Sequence, residues 1–373
     1  MKLAFCLFKV FPFGGLQRDF LRIARACQER QHEIQVFTSS WQGDTPPGFK
    51  VNLLPARGWS NHQRIRNFSS DLTGRLSKQR FDAVVGFNKL PGLDVYFAAD
   101  PCYEAKVRET KAGWYRWTAR YRAYRELERS VFSPAKKTRI LLLTEAQREA
   151  FIHYYGTPKE RFHLLPPGID RRPFEFPDRR RVSLEARRRL GVGDDDLLLL
   201  MVGSGFKTKG VDRSIEAVAA LPTAWRTRAR LQIAGQGDSA PFLRLAKKHG
   251  LGDRVTFLGP RQDVPELLTG ADLLLQPSRT EAAGMVLIEA MFAGLPVLCT
   301  DVCGYAFHVQ RAGSGRVIPS PFQQKGMNDY LLELVTSSGT RADHSRQALR
   351  YTEATDLSSL PEKAVAIIES LPI

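Results

Sequence analysis

Short, wholly apolar runs recur along this chain, separated by amphipathic stretches of helical period, and the series breaks once and begins again. Runs that are apolar at every position suit strands buried on both faces, which is the pattern of a parallel sheet covered by helices. In the first series we expect strands over 2–8, 33–37, 83–87, 96–98 and 140–143, with a helix over 16–30. The break is 164–169, Leu-Leu-Pro-Pro-Gly-Ile, where two prolines and a glycine interrupt regular structure. The second series has strands over 197–202, 231–234, 255–258, 273–276 and 297–299 and helices over 211–220 and 241–249. Two doubly wound, Rossmann-like α/β domains are expected, 1–168 and 169–355. A final helical stretch, 360–371 within 356–373, should pack back onto the first. A length of 373 residues allows two cores. Ligands of such sheets bind beyond the strand carboxyl ends, so the two domains should face each other across a cleft.

Charge is the strongest compositional signal. Lys plus Arg number 55 against 39 Asp plus Glu, a net +16, which attracts polyanions: nucleic acid, anionic lipid or a phosphorylated glycan. The longest apolar run, 197–202, is far short of the roughly 20 residues that span a bilayer. Lys9 and Pro-Phe-Gly-Gly at 12–15 interrupt the apolar start, so it reads as a strand and turn and not as an export signal. A cytosolic location follows as an expectation, with the five cysteines reduced; their odd number and lack of CxxC spacing argue against zinc or a disulfide framework.

The chemistry gathers in 277–290, Pro-Ser-Arg-Thr-Glu-Ala-Ala-Gly-Met-Val-Leu-Ile-Glu-Ala. A strand ends, a polar loop follows, and a helix is expected to begin near Ala283. Small residues at Ala282, Ala283 and Gly284 let a ligand approach the backbone. The free N–H groups and positive dipole end of that helix suit a phosphate. Glu281 and Glu289 flank the turn, one placed for a sugar ring and the other for a ribose. A solvated carboxylate is the plainer reading of either residue alone. Asp194-Asp195-Asp196 offers a D-x-D, but among Gly and charged residues just before a strand it reads as a turn.

The run from Glu281 to Glu289, continued by Ala-Gly-Leu-Pro-Val at 293–297, resembles the E-x7-E donor segment of the retaining GT-B glycosyltransferases of family 4. Residues 11–20, Phe-Pro-Phe-Gly-Gly-Leu-Gln-Arg-Asp-Phe, and 86–100, which run from Gly86 to Asp100, narrow it further. They resemble the bacterial lipopolysaccharide core glucosyltransferase I family, whose members transfer glucose from UDP-glucose to an inner-core heptose. The resemblance implies a donor site comprising Ala282, Ala283, Gly284, Met285, Val286 and Glu289. Gly14 and Gly15 would let the donor approach from the other domain. Lys209 would meet the diphosphate and Glu281 the sugar. Ser204 stands where many members carry Arg, and Lys207 or Arg261 would compensate. Asp100 and Asp19 complete the expected catalytic set, with helix capping as the alternative for Asp100 and an exposed helix position for Asp19. Asn61, His62, Asn88 and Lys89 are expected on the acceptor side. No cofactor and no divalent metal are expected.

From Tyr103 to Phe132 eight cations interleave with Trp114, Tyr115, Trp117, Tyr121 and Tyr124. Such a stretch suits an anionic membrane surface, here the inner face of the inner membrane where a lipid-anchored acceptor lies. Its alternatives are single-stranded nucleic acid or a solvated helix packed by its aromatics. Two other functions compete: the same fold using another UDP-hexose or a UDP-hexosamine, and a non-enzymatic basic nucleic-acid-binding protein. The donor segment disfavours the latter, so no nucleic acid partner is expected.

Overall fold

Seven parallel strands form the sheet of the first unit, in the order β3-β2-β1-β4-β5-β6-β7. The computed structural model describes residues 1–11 and 15–372, and its two units are Met1–Gly168 with Ser359–Ile373, and Ile169–Ser358. The first unit runs β1 (Lys2–Cys6), α1 (Gly15–Glu29), β2 (Glu33–Thr38), β3 (Lys50–Leu53), α2 (Asn61–Leu76), β4 (Ala83–Gly86) and β5 (Val95–Ala98). It continues with α3 (Tyr103–Thr110), α4 (Ala119–Phe132), β6 (Arg139–Leu142), α5 (Glu145–Tyr155) and β7 (Phe162–Leu164). β3, β7, α2 and α5 lie outside the expected set. β3 and β7 are edge strands, half-buried or exposed along their length, so no apolar run marks them. The chain returns with helix Leu360–Glu369, which packs on α1. Glu369 accepts hydrogen bonds from Arg30 (2.7 Å) and His32 (2.9 Å), and Arg139 donates to the carbonyl of Ile367.

The second unit repeats the plan with six parallel strands in the order β10-β9-β8-β11-β12-β13. Its elements are α6 (Arg179–Arg189), β8 (Leu197–Val202), α7 (Phe206–Lys209), α8 (Val211–Ala219), α9 (Thr223–Arg226), β9 (Ala229–Ala234) and α10 (Ala240–Lys248). Then come β10 (Val255–Gly259), α11 (Val264–Gly270), β11 (Leu273–Gln276), α12 (Met285–Phe292), β12 (Val297–Thr300), α13 (Ala306–Ala312), β13 (Gly315–Ile318), α14 (Gln324–Thr336) and α15 (Ser338–Ala354). The central strands are apolar throughout because both faces are covered: Leu198 to Leu200 and Leu273 to Leu275 are wholly buried. In both sheets the strand order reverses beside the first strand, between β1 and β4 and between β8 and β11. Loops leaving those pairs diverge to opposite sides and leave a crevice at the carboxyl edge.

The expected single basic helical region over 103–132 is α3, a tight 3-10 turn at Gly113–Trp117, and α4. One buried carboxylate, Glu128 on α4, fastens it. Its oxygens accept from the backbone N–H groups of Tyr103 (2.8 Å) and Glu104 (3.0 Å), from the Tyr155 hydroxyl (2.6 Å) and from Lys89 Nζ (2.5 Å). Glu128 therefore caps α3 from a distance, and Asp100, the sequence candidate for that cap, does not; the N-cap position is Cys102. Glu104, also buried, takes Tyr121 Oη (2.7 Å), Arg108 and Arg125, binding α3 to α4.

Breaking a buried pair from one side strands the other charge, at a cost of about 3–5 kcal/mol. Glu128→Ala should therefore lower the urea stability of the first unit by about that much, since Lys89 and two helix N–H groups lose their acceptor together.

Asp19 on α1 gives a second check. Burial pushes its carboxyl up to about 6, against the pull of Arg18 and Arg22. Between the ordinary 3.8 and about 6 the folded chain keeps a proton that the unfolded chain releases, so this group's contribution to stability falls as pH rises through that window. Asp19→Asn should be neutral near pH 4 relative to the wild type and stabilising by about 2–3 kcal/mol above pH 7, read from denaturation midpoints across pH.

Candidate active site

The loops leaving β8 and β11 flank the switch point of the second unit, and they carry the donor residues expected there. Pairing of Leu273 with Leu199 and Leu274 with Leu200 sets these strands side by side. Two arginines, Arg279 and Arg213, then tie the loops together. Arg279 grips Asp212 with both carboxylate oxygens (2.8 and 2.7 Å) and donates to the Lys207 carbonyl (2.8 Å). Its backbone N–H donates to the Thr208 carbonyl (2.7 Å), and Arg213 donates to the carbonyls of Pro277 and Ser278. Burial raises the Asp212 carboxyl, and the hydrogen bond and charge of Arg279 outweigh it, leaving the group below its ordinary value. Neither Arg279 nor Asp212 has a local sequence signal, because the partners lie 67 positions apart.

Within this frame the Lys209 ammonium and the Glu281 carboxylate form a close ion pair, each largely buried. Two glycines make room for it. Gly203 has φ +147°, and a Cβ there would lie 2.8 Å from Lys209 Cε. Gly284 has φ +83°, a left-handed conformation few other residues adopt, and a Cβ would crowd Glu281 Cγ at 3.3 Å. α12 starts at Met285 with Gly284 as its cap, two residues later than the expected Ala283, because that left-handed turn precedes it. The turn is held from below: Glu281 pairs with Cys303 as an isolated bridge, and the Tyr305 N–H donates to the Ala283 carbonyl (2.7 Å). Cys303 is an inert filler whose thiol burial pushes up to about 11.

Along α12, Met285 and Glu289 are partly accessible and lie one turn apart on one face, while Val286, Leu287 and Ile288 face the core. With Glu281, Ala282 and Ala283, they make the accessible surface of the segment; Val286 offers a ligand only its backbone. Ser204 accepts from the Gln236 N–H (3.1 Å), and Lys207 is exposed beside it. Arg261 is engaged by Asp263 through two bonds of 2.8 and 2.6 Å. Asp196 of the D-x-D accepts from the Gly193 N–H and pairs with Arg230 and Arg254, so it is spent on the turn.

The remaining candidates belong to the first unit. Gly15 opens α1, and Gly14 lies outside the described residues. Asp19, one turn on, is buried and not an exposed helix position. Asp100 is exposed, just beyond the end of β5. Asn61 is exposed at the start of α2, and His62 is held by the Ser60 hydroxyl (3.0 Å). Asn88 accepts from the Phe8 N–H (2.7 Å), joining the ends of β1 and β4. Lys89 points to Glu128 and the Pro101 carbonyl, over the rings of Phe132 and Phe151, where it serves the core.

Comparison with known proteins agrees with this architecture. Residues 13–172 match the family described as Glycosyltransferase Family 4, and residues 182–351 that described as Glycosyl transferases group 1. The lipopolysaccharide glucosyltransferase WaaG of Escherichia coli (strain K12) is 47% identical over 371 residues, covering 99% of this chain and 98% of its own. The crystal structure of WaaG, described as a glycosyltransferase involved in lipopolysaccharide biosynthesis, matches with a TM-score of 0.91 at 46% identity over 99% of this chain and 100% of that one. Anabaena HepE in complex with UDP and glucose matches at 0.76 and 18% identity, covering 100% of both chains, a likeness of fold. With two doubly wound units in the GT-B layout and close likeness to WaaG along its length, the chain belongs to the family-4 glycosyltransferases, among the lipopolysaccharide glucosyltransferases.

Proposed function

We propose that this glycosyltransferase moves glucose from UDP-glucose to a heptose of the lipopolysaccharide inner core, with retention at the anomeric carbon. The observation that carries the reading is the Lys209–Glu281 pair at the switch point, beside the start of α12. A lysine beside the start of a helix suits the charge that develops on a departing diphosphate, and such preorganised donors are each worth roughly 10²–10³ in rate. Bound donor would draw Lys209 toward its phosphates, leaving Glu281 to orient the sugar hydroxyls and Glu289 to hold the ribose. The acceptor hydroxyl attacks from the side that UDP leaves, and its proton passes to the leaving phosphate oxygen, so no side chain acts as covalent nucleophile. Lysine and backbone N–H groups supply the neutralising charge in this scheme, and no divalent metal or other cofactor is invoked. Asp19 and Asp100 of the first unit would act on the sugar or the acceptor hydroxyl.

No helix among the described residues is long and apolar enough to cross a membrane. Trp114 (69% exposed) and Trp117 (84% exposed) stand out from the 3-10 turn, among exposed Lys106, Lys111, Arg116, Arg120 and Arg122. That surface supports peripheral binding of 103–132 to the anionic inner face of the inner membrane. In co-sedimentation with anionic and neutral vesicles, equal binding to both, or none, would remove this part of the proposal.

Lys209→Ala and Glu281→Ala should each lower transfer to a truncated core acceptor by about 10²-fold or more with the circular dichroism spectrum intact. Near-normal turnover in either variant overturns the assignment. A panel of UDP-sugars assayed with and without EDTA separates glucose from other hexose and hexosamine donors and checks for a metal; UDP-glucose should dominate in both.

A further inference from the structure

Trp59 is 99% exposed, the most solvent-facing large apolar side chain described. It stands on the loop between β3 and α2, which is fastened from within. The N–H groups of Trp59 and Ser60 both donate to Gln63 Oε1 (3.1 Å each), and Arg64 Nε donates to the Gly58 carbonyl (2.8 Å). Asn67 donates to the Arg57 carbonyl (3.0 Å). Gly58 has φ +131°, and a Cβ there would press on Gln63 Cβ at 2.9 Å, so the turn is set by its own bonds. The indole is therefore held out in water by a loop whose carbonyls of Arg57 and Gly58 and N–H groups of Trp59 and Ser60 are already bonded.

Its charge is one-sided. Between Asp44 and Asp71 the chain holds Lys50, Arg57, Arg64 and Arg66 and not one carboxylate. All four are exposed, and among the described residues none of the four makes an ion pair. Leu53, at the end of β3, adds a 58% exposed apolar side chain.

Topology sets this loop beside the surface at 103–132. In a parallel sheet the helix that precedes a strand begins at the carboxyl edge, so α2, before β4, and α4, before β6, both have their N-termini there. α2 packs against α4, on one face of the sheet. Trp59, before α2, and Trp114 and Trp117, before α4, thus occupy the same end and the same face of the first unit.

We infer that the loop 57–64, with Trp59 at its tip, is a second membrane contact that docks on anionic lipid headgroups beside 103–132. Tryptophan belongs at the headgroup level and arginine adds about a fivefold gain in partition for each residue near an anionic surface. The inference rests on the reading of 103–132 as a membrane surface. Two contacts spaced along one end would fix the orientation of the unit on the bilayer, which a single patch leaves free to rotate.

The test uses the full chain and phosphatidylcholine vesicles with and without phosphatidylglycerol. Trp59→Ser should weaken partition onto the anionic vesicles about tenfold and Arg57→Ser about fivefold, whereas Trp59→Tyr should retain most of it. Because Trp59 touches almost nothing, thermal stability and the KM for a soluble, delipidated core acceptor should stay unchanged. If Trp59→Ser binds like the wild type while Trp114→Ser and Trp117→Ser weaken, the second contact is overturned and the first stands. Should the wild type itself fail to bind anionic vesicles, both fall. A raised KM for the soluble acceptor with unchanged vesicle binding would make Trp59 a sugar-stacking residue and overturn the inference as well.

Discussion

A parallel strand cannot be joined to its neighbour by a tight turn; the chain must travel back across the sheet, and it does so here through helices except between β2 and β3 and between β4 and β5. That constraint places the loops that leave the strands at the carboxyl edge and returns the chain to the other edge before the next strand. It acts twice in this protein, with the strand order reversing beside β1 and again beside β8. Residues far apart in sequence meet at these reversals because the sheet has nowhere else to send them. Lys209 meets Glu281 in the second unit, and Phe8 meets Asn88 in the first.

The ion pair of Lys209 and Glu281 has to be weighed against what a donor site needs. Two opposite charges held together with little exposure satisfy each other, and a ligand must then compete with the pair. In the proposed donor site a diphosphate would do so, because it brings more than one negative charge and would also face the start of α12. The sugar hydroxyls can take over the carboxylate. The pair thus stores both side chains at their stations without either one lying unpaired in a half-buried place, where an unpaired charge is costly. The clamp of Arg279 on Asp212 has a different part: it joins the two loops and keeps the distance between those stations constant.

How much of this could be read from the chain itself follows from how local each signal is. β8 and β11 are wholly apolar, and the strand bounds expected for them, 197–202 and 273–276, coincide with those observed. α15 was invisible because it is polar almost all round and buries only His344, Ala348 and Thr352. Glu281 and Lys209 stood out as residues of a known family pattern, yet nothing in the sequence brings them into contact; the sheet does. The same holds for Glu128, an unremarked acid in a basic helix that becomes the anchor of α3. Lys89, picked out with Asn88 for the acceptor side, is drawn inward by that very carboxylate.

Net charge of +16 says little until these internal uses are subtracted. Arg161 is buried and donates to three backbone carbonyls, Thr138, Ser133 and Val131, tying the end of α4 to the start of β6. Arg187 holds Asp272 and three carbonyls, and Arg279 and Lys89 are likewise spent. In 103–132 the arrangement is reversed. Two of its carboxylates, Glu104 and Glu128, are turned inward, while its eight cations, Lys106, Arg108, Lys111, Arg116, Arg120, Arg122, Arg125 and Arg129, are exposed. Glu104 still pairs with Arg108 and Arg125, so six of the eight cations face outward without a partner carboxylate from these two acids, and the inward turn of Glu128 fastens the segment that displays them. The carboxylate that stabilises the fold and the surface proposed to meet anionic lipid are therefore one construction, and loss of Glu128 would loosen both.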